Sequence, residues 1–438
     1  MFLSKKSLKF IKKTSFHNYL LLIFLTIIFT LIFNPSLFSD SSTFIKMDKS
    51  RSPIYPIFLN LNKFVFGKYF LNFVIFFQFF IYFFSVQYFL KRLYMILNFN
   101  LIGFSIAIFF LILPSFYFGN SILSESLSFS FFLLFLGEFI YYFKTKKQSS
   151  MFKLFILFIC CALTKPQFLF IFGVLIYLSL FTFLRNKKKG MIFFFGTIFS
   201  LIFIFSFNKT YHYVLHKKFE TDTNLGSQFV VMPIFLTTSK LTEVIKNDDQ
   251  KVFLASVFQD LKSKNINFDY ESNKNKSRQY WIKLYLENYA QVVSSINFNF
   301  DKLNTDLNQN RFLVDLSFEL LRINFKKDPR SVLEGYFFNS AINGYYWIYL
   351  AICFLFFTFI LCIVTLVSKR ISVMSLTLTI FSLAHLLNIM LVALIEPVIN
   401  RYRFFTEVPL LVIIVILLFH SINVEKNKLN LLSQKKLI

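Results

Sequence analysis

FKLFILFICCALTKPQFLFIFGVLIYLSLFTFLRNKKK, residues 152–189, decides the topology of the chain. Read as one span, it inverts everything that follows and puts Arg185-Asn-Lys-Lys-Lys189 outside. Read as a hairpin broken at Thr164-Lys165-Pro166-Gln167, it returns that cluster to the side of the other basic runs. Lys and Arg favour the cytoplasmic side of short loops, so the hairpin is the self-consistent choice. The turn at Lys165-Pro166 then faces outward.

Working outward from the hairpin, apolar runs recur along the 438 residues. Hydrophobic residues make up 56% of the chain and charged residues 16%, against about 25% charged in an ordinary soluble domain. The runs are long, show little polar alternation and are separated by basic clusters, which fits membrane spans better than a large buried core. The expected spans are Asn18 to Phe33, Tyr69 to Leu90, Phe99 to Leu113, Ser126 to Phe143, the two arms of Phe152 to Leu184, Gly190 to Phe207, Tyr346 to Val367, Ile371 to Ile395 and Phe404 to Ile422. With about ten spans, the clusters Lys5–Lys13, Lys91-Arg92, Lys144–Lys147, Arg185–Lys189, Lys369-Arg370 and Lys426–Lys436 all fall on one side. That side is cytoplasmic, with both termini there. The five lysines before the first run look like the start of a signal peptide. The run outlasts an h-region and has no small-residue cleavage site, so it reads as an uncleaved first helix.

The expected fold is an all-α polytopic membrane protein in three parts. An N-terminal membrane module of about seven helices covers 1–207 and carries a first outer loop at 34–68. An extracytoplasmic loop domain covers 208–345, and a C-terminal membrane module of about three helices with a basic tail covers 346–438. In the large loop, Phe253, Leu254, Val257, Phe258 and Leu261 have helical spacing, as do Tyr280, Trp281, Leu284, Tyr285, Tyr289 and Val292. Ile57 to Phe66 reads as an amphipathic helix in the outer interface. The net charge of +25 raises nucleic acid as a partner, but no zinc-finger, helix-turn-helix or RNA-binding signature accompanies it. Cys160, Cys161, Cys353 and Cys362 lie in apolar runs and read as small buried hydrophobes.

Acidic residues are scarce. The first 219 residues contain only Asp40, Asp48, Glu125 and Glu138, which makes each a candidate for function. Asp40 suits a base for an acceptor hydroxyl or a metal ligand; a solvated turn former is the plain alternative. Asp48 reads as an ordinary loop residue. Glu125 is a catalytic candidate or a helix N-terminal acid beside a capping Asn120 or Ser121. Arg51-Ser-Pro-Ile-Tyr-Pro56 is a rigid turn able to aim a guanidinium at phosphate. Lys165, Arg401 and Arg403 add cations suited to an anionic lipid headgroup, or to interfacial anchoring beside Tyr402. Glu138 is expected to pair with nearby lysines. His385 and Asn388 read as interhelical hydrogen-bonding groups. No P-loop, GxGxxG, nucleophile elbow or metal-ligand cluster appears.

In order, Asp40, Arg51 to Pro56, Leu113-Pro114-Ser115 with Ser124-Glu125-Ser126 eight residues on, Ala162-Leu-Thr-Lys-Pro166 and Asn400-Arg-Tyr-Arg403 resemble the GT-C superfamily of membrane glycosyltransferases. The likeness is to its protein O-mannosyltransferase and aminoarabinose-transferase branch, over about 18–210 and 346–422. It implies a GT-C-like core, a polyprenyl-phosphate sugar donor and an outer-face acceptor that is a lipid, glycan or protein; the high Phe, Ile, Asn and Lys content suggests an AT-rich genome and so a bacterial inner-membrane location. The likeness also implies Asp40 and Glu125 as catalytic residues, with Arg51, Lys165, Arg401 and Arg403 on the donor phosphate. Ser41-Ser42 stand where many relatives have a second acid, which favours a base role for Asp40 over a divalent metal. Two other functions suit the layout: a flippase or transporter of lipid-linked glycans, and an O-antigen polymerase or ligase. The latter has decisive arginines and a histidine in the large loop, near whose start stand His212 and His216.

Overall fold

The computed structural model describes residues 22–97, 101–217, 219, 225–237, 244–266, 278–303, 308–345, 348–368, 371–398 and 400–436. Lys5–Lys13, Asn18, Phe99, Tyr346, Lys369-Arg370 and the Trp281 side chain, all used in the sequence reading, lie outside these residues. Among the described residues the regular structure is helical, with one isolated parallel bridge, Ser36 to Ser121. Among the described residues, seven stretches are long and apolar enough to cross a membrane: Ile54–Leu97, Glu125–Thr145, Pro166–Phe183, Lys187–His216, Leu350–Val367, Val373–Ile395 and Arg401–Phe419. Three shorter apolar helices, Leu22–Ile32, Ile102–Phe118 and Gln148–Thr164, fall where the sequence places the first, third and fifth of about ten spans.

The chain packs into two compact units. One comprises Met1–Phe219, Cys362–Ala384 and Phe404–Ile438, and the other Glu220–Leu361 and His385–Arg403. The first unit opens with α1 (Leu22–Ile32), the short α2 (Ser41–Ile45) and α3 (Ile54–Phe66). Gly67, at φ 52°, breaks α3 from α4 (Phe70–Leu97); only glycine adopts that conformation freely. Then come α5 (Leu101–Phe118), α6 (Glu125–Thr145), α7 (Gln148–Thr164), α8 (Phe170–Phe183) and α9 (Lys187–His216). α6 is the central helix, buried along most of its length and packed on α4 and α7. Between α7 and α8 the helix breaks where expected: Lys165 is extended and Pro166–Leu169 forms a 3-10 turn, because proline cannot continue an α-helix. α8 and α9 cross so closely that a Cβ on Gly190 would stand 2.3 Å from the Phe183 Cα.

Phenylalanine fills this unit. Phe29 meets Phe79 and Phe116 at ring distances of 5.3 and 5.5 Å, and Phe118 stacks on Phe404 at 4.5 Å. Glu138 departs from expectation. Its carboxylate accepts from the Tyr88 hydroxyl, which in turn accepts from Arg92 at 3.1 Å. Arg92 also lies over the Tyr141 ring at 3.7 Å, so a tyrosine–arginine pair occupies the place assigned to lysines.

The second unit contains α10 (Leu225–Phe229), α11 (Val231–Leu236), α12 (Asp248–Ser263), α13 (Arg278–Asp301), α14 (Gln309–Lys327), α15 (Pro329–Tyr345) and α16 (Ile348–Val367), the last only to Leu361. Their core takes Phe253, Leu254, Val257 and Leu261 from α12, and Tyr285 and Val292 from α13, the residues whose helical spacing the sequence displays. Asn247 and Asn308 cap α12 and α14 by accepting from Gln250 and Arg311 amides. The end of α17 (Val373–Ile395) is tied to α15, where the Asn339 amide donates to Ala393 and Glu396 carbonyls and its oxygen accepts from Val398. α18 (Asn400–Lys436) is the last helix.

Candidate functional site

The segment between α1 and α3 runs alongside the turn between α5 and α6 and is stitched to it. The Ser36 amide donates to the Asn120 carbonyl at 2.9 Å, and the Ile122 amide donates back to Ser36 at 3.0 Å. The Asn120 side chain donates to the Asn34 carbonyl and the Ser36 hydroxyl. Ser41 donates its hydroxyl to the Ile122 carbonyl at 2.9 Å and accepts from the Phe38 amide. Asn120 and Ser121 therefore serve the loop and the end of α5, and neither caps α6; Ser124 holds the N-cap position and makes no side-chain cap bond.

Asp40 precedes α2 at the N-cap position without capping it through its side chain. Its carboxylate instead accepts from Arg51 Nη2 at 2.8 Å. Arg51 is held on three sides: Nε donates to Thr43 Oγ1 at 2.7 Å, Nη2 reaches Asp40, and the guanidinium lies 4.5 Å from the centre of the Phe44 ring. The Asp40 and Arg51 side chains are 35% and 22% exposed, so solvent reaches this pair. Asp48 turns the chain toward Arg51, its carboxylate accepting from the Ser50 amide at 2.9 Å. Burial raises the Asp48 carboxyl, but the Ser50 hydrogen bonds and the Lys49 and Arg51 charges outweigh it and hold the group below its usual range.

Glu125 is fully buried at the start of α6 and accepts from Lys165 Nζ at 2.9 Å; the Lys165 side chain is 12% exposed. The helix N-terminus favours the carboxylate, and the Phe405 ring, 5.1 Å from Nζ, favours the ammonium. Beneath the loop, Tyr55 donates to the Gln78 side-chain oxygen at 2.8 Å, while the Gln78 amide donates to the Gly119 and Ser121 carbonyls at 3.1 Å. Tyr55 also lies within electrostatic reach of Glu125.

Asp40 is thus joined to Arg51 and Glu125 to Lys165, on segments hydrogen-bonded to each other. Arg401 and Arg403 belong to the second unit, at the start of α18, where Arg403 is buried and the Tyr402 carbonyl accepts from Asn388 at 3.0 Å. Thr43 and Gln78 were not singled out from the sequence; the visible trace of Gln78 is one amide within a phenylalanine-rich run. His212 sits buried near the end of α9, with neither ring nitrogen hydrogen-bonded among the described residues, and close enough to Asp48 for their charges to interact. Asp40 and Glu125 are each matched by a side-chain cation, and among the described residues no three His, Cys, Asp or Glu converge as metal ligands.

Compared with protein-family models, with curated proteins and with solved structures, the chain finds no match.

Proposed function

We propose that this multi-pass membrane protein is a glycosyltransferase with a GT-C-like core. It moves a sugar from a polyprenyl-phosphate donor to a hydroxyl of a lipid, glycan or protein at the extracytoplasmic face. About ten spans with both termini in the cytoplasm of a bacterial inner membrane complete the proposal. The observation that carries it is the joining of two carboxylate–cation pairs, Asp40–Arg51 and Glu125–Lys165, through one loop and one turn.

Asp40 takes the acceptor hydroxyl proton while that oxygen bonds to the anomeric carbon. The bond from that carbon to the phosphate oxygen breaks on the opposite side, inverting the centre. The phosphate departs with the electron pair and needs no general acid. Arg51 sits on Asp40; a donor phosphate competes for the guanidinium and releases the carboxylate to act as base. Lys165 neutralises the leaving phosphate, and Glu125 orients Lys165. The test is transfer from a polyprenyl-phosphate sugar by purified protein in vesicles. Asp40→Asn lowers kcat about 10²- to 10⁴-fold with insertion intact. Full activity in that variant sinks the assignment, and translocation without a new glycosidic bond indicates a flippase.

The second assignment is a polymerase- or ligase-type enzyme; it calls for a histidine in the large loop, whereas His212 lies buried within α9, without a hydrogen-bond partner among the described residues. Under that assignment His212→Ala abolishes coupling and Asp40→Asn does not.

A further inference from the structure

The basic end of the first unit holds a cavity that the transfer reaction does not use. α6 is 21 residues long. At 1.5 Å per residue it carries the chain about 31 Å from Glu125 to Lys146, close to the thickness of a hydrocarbon core. There a cavity of about 520 Å³ opens between Phe143, Lys146, Phe181, Arg185, Ser372 and Leu376. That volume is within the roughly 300–1,000 Å³ of small-molecule sites. The lining contains two cations, one hydroxyl and no carboxylate.

Its walls are apolar and fixed. Phe143, Phe181 and Leu376 are each 5% exposed or less. Both cations lie on the wall aromatics: Lys146 Nζ is 4.4 Å from the Phe143 ring centre, and the Arg185 guanidinium 3.7 Å from that of Phe181. Arg185 is further anchored by donating to the Phe181, Thr365 and Ser368 carbonyls. Burial, then the neighbouring Lys189 and Arg185 charges, push the Lys146 ammonium below its usual range. Three like charges held together is a cost that a bound anion relieves. The apolar wall beside them suits a chain attached to that anion, and the basic ends of membrane helices stand at headgroup level.

We propose that this cavity binds the phosphate of an anionic lipid, with its hydrocarbon chain along Phe143, Phe181 and Leu376. The site lies about a membrane thickness from Glu125 and is independent of the transfer chemistry.

The test uses the full chain purified in neutral detergent, with retained lipid counted by native mass spectrometry. Phosphatidylglycerol, phosphatidylcholine and inorganic phosphate are the three probes. Arg185 is left intact because it holds three carbonyls; Lys146→Gln and the double variant Lys146→Gln/Lys189→Gln remove charge at exposed side chains, and an unchanged thermal midpoint checks the fold. A cation near a membrane surface is worth about fivefold in affinity for an anionic lipid. Phosphatidylglycerol should therefore bind about fivefold more weakly to the single variant and about thirtyfold more weakly to the double. Phosphatidylcholine retention stays the same in all three proteins, and equimolar inorganic phosphate does not displace phosphatidylglycerol. Equal retention of the two lipids by the wild type, or undiminished phosphatidylglycerol binding by the double variant, overturns the proposal. Displacement by inorganic phosphate also overturns it, since the ligand is then a free anion.

Discussion

Lys165→Met isolates the chemistry of the buried ion pair. At 2.9 Å, Glu125 and Lys165 attract by about 6 kcal/mol at an effective dielectric near 20. Much of this gross attraction offsets the desolvation of the two groups, so the pair adds little net stability compared with an apolar replacement of similar volume. Removing one partner is different. Glu125 is fully buried, and without Lys165 its charge has lost the cation 2.9 Å away; the expected cost is about 3–5 kcal/mol. Glu125→Gln should cost less, about 1–2 kcal/mol, because the partly exposed Lys165 ammonium can move toward water. The double variant Glu125→Gln/Lys165→Met should recover about half of the summed loss of about 4–7 kcal/mol, giving a coupling energy of about 2–3 kcal/mol. The assay is reversible unfolding in mixed micelles at pH 7, run on all four proteins of the cycle. If Lys165→Met costs under 1 kcal/mol, or the double variant loses the sum of the singles, the pair is not the buried unit described here. Transfer by the double variant separates the roles: a stable protein without activity assigns the pair to chemistry, and a stable active one assigns it to packing.

Arg51→Lys keeps the charge but loses the fork that reaches Thr43 and Asp40 together, so KM for the lipid-phosphate donor should rise about tenfold in steady-state kinetics. Gln78→Leu strips partners from Tyr55, Gly119 and Ser121 at once and should cost about 3 kcal/mol in the same unfolding assay. Gly190→Ala forces a Cβ against the Phe183 backbone and should cost about 1–3 kcal/mol, read as a lowered thermal midpoint. Asp260 is held below the usual carboxylate range by the Lys264 and Ser295 hydrogen bonds, which outweigh burial. Its stabilising contribution is therefore present above about pH 4 and is lost as pH falls through the lower folded value. Unfolding midpoints between pH 6 and 3 should flatten in Asp260→Asn.

The helices were legible where local chemistry acts alone. The α7–α8 turn shows because a proline and a lysine interrupt an apolar run, and the α12 and α13 faces show because their apolar residues repeat with helical spacing. Candidate residues could be named because acids are so few before residue 220. Their pairing could not. Asp40 and Arg51 are 11 residues apart and Glu125 and Lys165 are 40 apart, and no periodicity links either pair. The capping role expected of Asn120 and Ser121 failed because backbone pairing with Ser36 competes for the same segment. Glu138 bonds Tyr88 because that side chain comes from the helix packed against α6, while flexible lysines extend more readily toward water.

The Ser41–Ile122 bond also bears on biosynthesis. Ser41 leaves the ribosome 81 residues before Ile122, and Glu125 precedes Lys165 by another 40. At about 5–20 residues per second, the first acid waits on the order of 6–25 s for the last of these contacts. During that interval the nascent loop lacks its scaffold, so a chain stalled before residue 165 would carry Asp40 and Glu125 without the Lys165 contact that completes the cluster.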